Sequence, residues 1–198
     1  MSKVAITGNT SGTGTFTIAA PNSNTDRTLT LPDSSATLAT VNGITMADTW
    51  RLTNSLIGSQ TPITAWERHT TSLAGLYGSS GMSVSSGIFT FPSTGLYLVS
   101  FGGTLDEDGS GADNSVAIEI RSSDDNFSSN DDIVTYQQTQ LNSSNARAGL
   151  NVQVVLTVTD TSNDKVKFNL SSQLSSNKLF GSINGDALAT FIRLGDLA

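Results

Sequence analysis

The chain has 198 residues, and its 10 Lys and Arg against 17 Asp and Glu give a formal net charge of −7. No run of basic residues is present to neutralise a phosphate backbone, so nucleic acid is not an expected partner. The absence of Cys excludes disulfides, thiolate nucleophiles and cysteine metal sites. No apolar stretch is long enough for a signal peptide or a membrane-spanning helix, so we expect neither export by that route nor membrane insertion.

Small polar residues dominate the composition. Ser, Thr and Asn make up 70 of the 198 residues, and charged residues only 14%, against about 25% in a typical soluble domain. The apolar share is 36%, with 18 Gly and 4 Pro, which fits neither collagen nor outright disorder. This composition favours a folded chain of strands and turns.

Residues 1–45 differ from the rest of the chain. Short β-rich pieces in this arm are separated by turns rich in Gly, Asn or Pro, such as residues 11–14 and 21–24. About 45 residues without a disulfide cannot bury enough apolar surface to be stable alone. We therefore predict that the arm folds against its own C-terminal domain, against copies of itself, or against a larger assembly, and the sequence does not rank these three.

From residue 46 onward, apolar segments recur at the spacing of strands. Loops rich in Asn, Ser, Gly and Asp separate them, as turns require, and no long segment has the 3.6-residue apolar period of a helix. We predict an all-β sandwich with strands at residues 50–52, 63–66, 88–91, 96–101, 116–121, 133–140, 150–158, 165–170 and 188–194.

Two of these segments, residues 96–101 and 188–194, are apolar on both faces. One face meets the opposing sheet, and the other face needs a second cover. In a chain without helices the simplest cover is another subunit, so we predict a homo-oligomer. The alternative is that the arm covers this face in a monomer. We assign the subunit contact to the face that carries Tyr97, Val99, Phe101, Ala189 and Phe191.

Residues 87–101 read Gly-Ile-Phe-Thr-Phe-Pro-Ser-Thr-Gly-Leu-Tyr-Leu-Val-Ser-Phe. This segment resembles the central motif of the globular head of complement first component subcomponent q, a relative of the tumour necrosis factor (TNF) jelly roll. That motif reads Gly-x-Phe-x-x-Pro-x-x-Gly-x-Tyr-x-x-x-Phe, and its positions are matched by Gly87, Phe89, Pro92, Gly95, Tyr97 and Phe101. We expect Phe89 and Tyr97 in adjacent strands, joined by a tight reversal.

The resemblance covers residues 49–198, including the later strand, turn and strand of residues 155–168. It implies a ten-stranded, TNF-like jelly-roll sandwich that assembles as a tight trimer around a threefold axis. The predicted domains are therefore an N-terminal arm, residues 1–45, and a jelly-roll head, residues 46–198.

The arm resembles a second group of proteins. Residues 14–21, 24–33 and 36–40 look like segments of structural proteins of tailed bacteriophages, and the most distinctive part is Arg-Thr-Leu-Thr-Leu-Pro-Asp at residues 27–33. This resemblance implies a virion surface protein whose arm holds the particle and whose head projects. The arm residues expected to contact a capsid or tail protein are Phe16, Ile18, Arg27, Leu29 and Leu31.

No constellation of residues indicates catalysis. A hydrolytic triad needs a His between a nucleophile and a carboxylate, and we interpret His69, the only His, as a strand-edge or loop residue. Acidic clusters at residues 106–113, 124–125 and 131–132 contain the oxygen ligands that calcium takes, but they lack the spacing of a calcium-binding loop. We predict solvated loops and no cofactor, with a calcium ion held by one of these loops as the alternative.

The sequence thus predicts a non-enzymatic, homotrimeric structural protein of a tailed phage, assembled in the host cytoplasm and displayed on the virion surface. Its short length favours a capsid decoration protein, that is, a cement or head-fibre protein, because tail fibres need long shafts. The alternative is a tail-fibre or receptor-binding adhesin that recognises a host surface glycan or protein. Three aromatic residues near polar loops either stack on such a sugar or complete the core: Tyr77, Phe127 and Tyr136.

Overall fold

A computed structural model of the chain describes residues 11–15, 17, 19, 22–26, 28, 44–70, 74–107, 112–143, 145–173, 177–182 and 185–197. The chain divides into two compact units, Met1–Thr40 and Val41–Ala198. Every regular element among the described residues is a strand, which confirms the all-β prediction. Within these ranges no helix is long and apolar enough to cross a membrane.

The described residues form thirteen strands. They are β1 Met46–Leu52, β2 Leu56–Ile57, β3 Trp66–Arg68, β4 Leu76–Tyr77, β5 Ser83–Ser85, β6 Ile88–Thr90, β7 Gly95–Glu107, β8 Asp113–Ser123, β9 Asp132–Leu141, β10 Arg147–Val158, β11 Lys165–Ser172, β12 Asn177–Leu179 and β13 Ala187–Gly195.

The strands form two antiparallel sheets. In the larger sheet, β7 pairs with β10 on one side and with β13 on the other, and β1 follows β13. β3 and β4 pair with different parts of β1, while β12 and β2 continue the sheet beside the end of β7. The smaller sheet has the order β5-β6-β11-β8-β9.

Inward side chains of the two sheets meet in one aromatic core. Phe89 and Phe168 of the smaller sheet contact rings of the larger sheet, with centroids 5.0 to 5.9 Å apart, and these partners are Trp66, Phe101 and Phe191. Each such edge-on or tilted contact stabilises the fold by about 0.5–1.5 kcal/mol beyond the burial of its area. Aromatic side chains from facing strands thus form the centre of a core that also contains many buried Leu, Ile and Val residues.

The motif of residues 87–101 adopts a different geometry from the one expected. β6, with Phe89, belongs to the smaller sheet, whereas β7, with Tyr97, belongs to the larger sheet. The expected pairing of adjacent strands is therefore wrong, because the chain crosses between the sheets at residues 91–94. The Tyr97 hydroxyl donates to the Ser93 carbonyl at 2.8 Å, and the Phe91 ring packs 4.8 Å from the Tyr97 ring. These contacts fix the crossing.

Candidate interaction face

The side chains assigned to the subunit contact lie in the core of a single chain. Each of them is 0% exposed, and they are Tyr97, Val99, Phe101, Ala189 and Phe191. The face assignment is therefore wrong: these side chains belong to the core between the two sheets, where Phe101 and Phe191 contact rings of the smaller sheet. The physical reason is size, because the aromatic rings of this face gain most from burial inside the sandwich. The outward face of the same strands is the candidate surface.

The outward face of the larger sheet carries a continuous apolar row. Leu98 in β7 lies opposite Val155 in β10 and Ile192 in β13. Ile192 lies opposite Ala47 in β1, which in turn lies opposite Tyr77 in β4. Neighbouring strands are about 4.8 Å apart, so the five residues form one strip across five strands. At its two ends Val155 is 54% and Tyr77 is 64% exposed.

An open trough of about 310 Å³ lies on the same sheet face. Ser100 and Thr190, which are direct partners in β7 and β13, line it next to the apolar row. Gly102 lies beyond them, and a Cβ at this position would lie 2.5 Å from Nδ2 of Asn151. The face thus combines an apolar strip with a polar depression that has room for the side chains of a partner.

The β8–β9 loop contains two of the acidic clusters, and one of its carboxylates organises the loop itself. Asp125 accepts hydrogen bonds from the Ser123 hydroxyl and from the N–H groups of residues 128–130. The bond from Ser123 first, and then the backbone bonds, lower the pKa of Asp125 below its ordinary value. Because its oxygens already accept these hydrogen bonds, the Asp125 carboxylate stabilises the turn of the β8–β9 loop.

The remaining acidic cluster is divided between separate contacts. Asp106 pairs with Arg147 at 3.1 Å, while Asp113 is buried and accepts hydrogen bonds from the N–H of Ser115 and the side chain of Asn177. Across the described ranges, no three His, Asp or Glu side chains converge on a point that a metal ion could occupy.

His69 lies directly after β3. Its backbone N–H donates to the Thr49 carbonyl at 2.8 Å, and its buried Nδ1 has no hydrogen-bond partner among the described residues. No hydrogen bond joins its ring to a carboxylate or hydroxyl of the described chain, so the geometry of a catalytic triad is not present around it.

The five arm residues expected to hold a particle lie outside the described residues: Phe16, Ile18, Arg27, Leu29 and Leu31. Their contact with a capsid or tail protein stays a prediction.

Two antiparallel sheets that face each other across one core, with the chain crossing repeatedly from one sheet to the other, are typical of a jelly-roll sandwich of the TNF-like class. The structure divides the strands more finely than the ten expected, since β2, β4 and β12 have only two or three residues each.

Comparison with solved structures agrees with this class. The chain is similar to the structure of Eiger TNF from S. frugiperda, with a TM-score of 0.57 and 11% identity over 79% of this chain and 96% of that chain. Two crystal structures of murine APRIL, at pH 8.5 and pH 5.0, match with a TM-score of 0.52 and 14% identity over 75% of this chain and 98% of theirs. At these identities the likeness shows the fold alone. No family model matches the chain, and no curated protein matches its sequence at a significant level.

Proposed function

We propose that this chain is a non-enzymatic structural protein of a tailed bacteriophage particle. In this proposal it is a homotrimeric capsid decoration protein, displayed on the virion surface and anchored by its N-terminal arm. The observation that supports the self-association in this proposal is the apolar row on the outward face of the larger sheet, whose end residues Val155 and Tyr77 are more than half exposed in the single chain.

The apolar row supports self-association on energetic grounds. Full burial of a Leu, Ile or Val side chain contributes about 1.5–3 kcal/mol, and the row places Leu98, Ile192 and Val155 side by side. Closed rotational symmetry lets identical chains cover identical faces without leaving one unpaired. Three copies that each present this face to the next would remove the whole strip from water.

The arm sequence supports a place on a virus particle. Residues 27–33 carry the resemblance to tailed-phage structural proteins, and their alternation of Leu with Thr is typical of a strand. An extended arm binds most simply by adding strands to an edge of the shell, through backbone hydrogen bonds. Trimerisation multiplies such a weak contact, because the second and third arms bind at high effective concentration.

The trimer is tested by light scattering of the full chain at micromolar concentration. We expect the mass of three chains, and we expect Leu98→Asp to give the mass of one chain, because a carboxylate within the row cannot be buried unpaired. The matched control is Ile57→Asp in β2, an exposed apolar residue outside the row that is 56% exposed. This control should keep the trimer. A wild-type mass of one chain, or a trimeric Leu98→Asp variant, would contradict the proposal.

The anchoring role is tested on particles. Substituting Leu29→Asp and Leu31→Asp together in the full chain should abolish attachment to the particle and leave the trimer intact. Counting copies per particle separates decoration from adhesion: hundreds of copies support a capsid decoration protein, whereas a few or tens indicate a tail adhesin.

A further inference from the structure

The outer face of the smaller sheet carries a compact group of polar and aromatic side chains that the proposed trimer does not use. The strand register places Asn169 of β11 opposite Glu119 of β8, and Glu119 opposite Tyr136 of β9. A second row lies beside the first and consists of Lys167, Arg121 and Ile133. We refer to these six residues as the small-sheet face.

The charges on the small-sheet face are paired within the chain. Oε2 of Glu119 accepts hydrogen bonds from Nε of Arg121 at 2.8 Å and from Nδ2 of Asn169 at 3.3 Å. Asp131, which lies just before β9, accepts hydrogen bonds from Nη1 of Arg121 at 3.2 Å and from Nζ of Lys167 at 2.7 Å. Counted together with Asp131, the small-sheet face has two carboxylates and two cations, which cancel, on a chain with a net charge of −7.

Two acceptor atoms in the first row lack a donor. Asn169 is 3% exposed, and its buried Oδ1 accepts no hydrogen bond from the described chain. The second acceptor, Oε1 of Glu119, differs in that its side chain is 14% exposed, and both described hydrogen bonds to this side chain end on Oε2. A buried acceptor without a donor is unfavourable, so Oδ1 of Asn169 favours a hydrogen-bond donor from outside the described chain, and the partly exposed Oε1 of Glu119 can accept one as well.

An exposed aromatic ring borders these acceptors. Tyr136 is 60% exposed and Ile133 in the neighbouring row is 47% exposed, so apolar area stands open directly beside the polar row. At the other side of the face, Phe127 has a left-handed φ of 57° and packs its ring 4.2 Å from Nζ of Lys167. This backbone geometry is uncommon for an aromatic residue and holds the Lys167 ammonium in place.

We propose that the small-sheet face is a binding site for a neutral saccharide. The C–H face of a pyranose ring stacks on Tyr136, one sugar hydroxyl donates to Oε1 of Glu119, and a second hydroxyl or a bridging water supplies the donor for Oδ1 of Asn169. The sugar hydroxyl groups supply hydrogen-bond donors for Glu119 and Asn169. Because the face has no net charge, electrostatic attraction does not favour an ionic ligand over a neutral one. The site lies on the opposite sheet from the apolar row, so the inference does not rest on the proposed function.

The test is binding of the full chain to immobilised neutral saccharides, namely glucose, galactose, mannose, N-acetylglucosamine and N-acetylgalactosamine as mono- and disaccharides. Glucosamine and glucuronate serve as charged comparisons. We expect the wild-type chain to bind at least one neutral saccharide. Tyr136→Ala should weaken this binding about tenfold or more, Glu119→Gln should weaken it, and Tyr136→Phe should retain most of it because the ring is kept.

The control variant is Ile57→Ala, which removes exposed apolar area from the other sheet and should leave binding unchanged. Because Tyr136 is exposed, Tyr136→Ala should keep the thermal midpoint of the wild-type chain, which separates loss of binding from loss of folding. The proposal is overturned by wild-type protein that binds none of the neutral saccharides, by binding of the charged saccharides alone, or by undiminished binding of Tyr136→Ala. Capture of a peptide in place of a sugar at Tyr136 would also overturn it.

Discussion

At the scale of single residues, one buried ion pair ties the edge of the larger sheet together. The Asp48 carboxylate is 0% exposed and accepts hydrogen bonds from Nε and Nη2 of Arg68 at 2.9 and 3.1 Å, and from the N–H of Met82 at 2.8 Å. The Arg68 guanidinium also lies 4.6 Å above the ring of Trp50. One carboxylate thus joins β1, β3 and the segment before β5.

We expect Asp48→Asn to reduce the free energy of unfolding by roughly 2–3 kcal/mol. This is less than the ~3–5 kcal/mol for breaking a fully buried pair, because the Arg68 side chain is 33% exposed and keeps part of its hydration. Urea unfolding at one fixed protein concentration measures the change. The control is Glu67→Gln, which alters a partner of Arg51 that is 49% exposed and should cost no more than about 1 kcal/mol. Equal losses in the two variants would contradict the assignment.

Gly95 begins β7 in a conformation that other residues rarely adopt. Its φ is 141°, and an added Cβ would lie 2.6 Å from the Gly195 carbonyl oxygen and 2.9 Å from Nε of Arg193. We expect Gly95→Ala to destabilise the fold by about 2 kcal/mol or more. Gly149→Ala in β10 is the matched control, since no atom lies within 4 Å of its added Cβ. Thermal unfolding should show little change or a small gain for that control.

At the scale of elements, the alternation of residues in β7 and β13 shows that both faces of these strands are apolar, but hydropathy alone does not identify the inner one. The five residues assigned to the subunit contact are in the core, and the smaller side chains of Leu98 and Ile192 face outward. Ring size was the signal that could have separated the faces, because a sandwich core gains most from burying its largest side chains.

Most of the predicted strands lie within observed strands, because long alternating segments depend little on their surroundings. The segment 63–66 differs most, since β3 starts only at Trp66 and the N–H of Ile63 instead donates to the carbonyl of Phe168 in β11, while the segment 88–91 extends one residue beyond β6. The short strands β2, β4, β5 and β12 were not predicted. Two or three residues carry no usable periodicity, and such strands form only because a neighbouring edge offers free backbone groups.

The protection of the β8–β9 loop from hydrogen exchange should depend on the charge of Asp125. The pKa of Asp125 is lowered by the Ser123 hydroxyl and by the N–H groups of residues 128–130. Because the folded-state pKa lies below the unfolded-state value of about 3.9, the ionised carboxylate stabilises the loop at pH values above the unfolded-state pKa. This stabilisation is lost as the pH falls through the folded-state pKa. We therefore expect faster hydrogen exchange of amides 128–130, relative to intrinsic rates, in wild type at low pH and in Asp125→Asn at pH 7. Asp124→Asn removes the neighbouring charge, which accepts a hydrogen bond from the side chain of Asn130 and none from the backbone N–H groups of residues 128–130 in the described contacts, and it should keep their protection.

At the scale of the whole molecule, the net charge of −7 opposes the association that the apolar row favours. Salt shortens the screening length from about 30 Å at 0.01 M to about 8 Å at 0.15 M. We expect the trimer to tighten as salt rises over this range, because repulsion between chains is screened while apolar burial is not. Sedimentation velocity at both salt concentrations measures the fraction of monomer. A trimer that dissociates on adding salt would indicate an interface held by ion pairs instead.

The pairing of β1 with β13 sets how this head can fold. The register joins Met46 to Arg193, and β13 also separates β1 from β7. Until β13 has paired with β7, β1 has no neighbouring strand that links it to the centre of the larger sheet. The entropy of closing so long a loop must be overcome before native contacts compensate for it. Refolding should therefore take milliseconds to seconds, as in other proteins with distant strand pairing, and chains released at high concentration would aggregate during this delay.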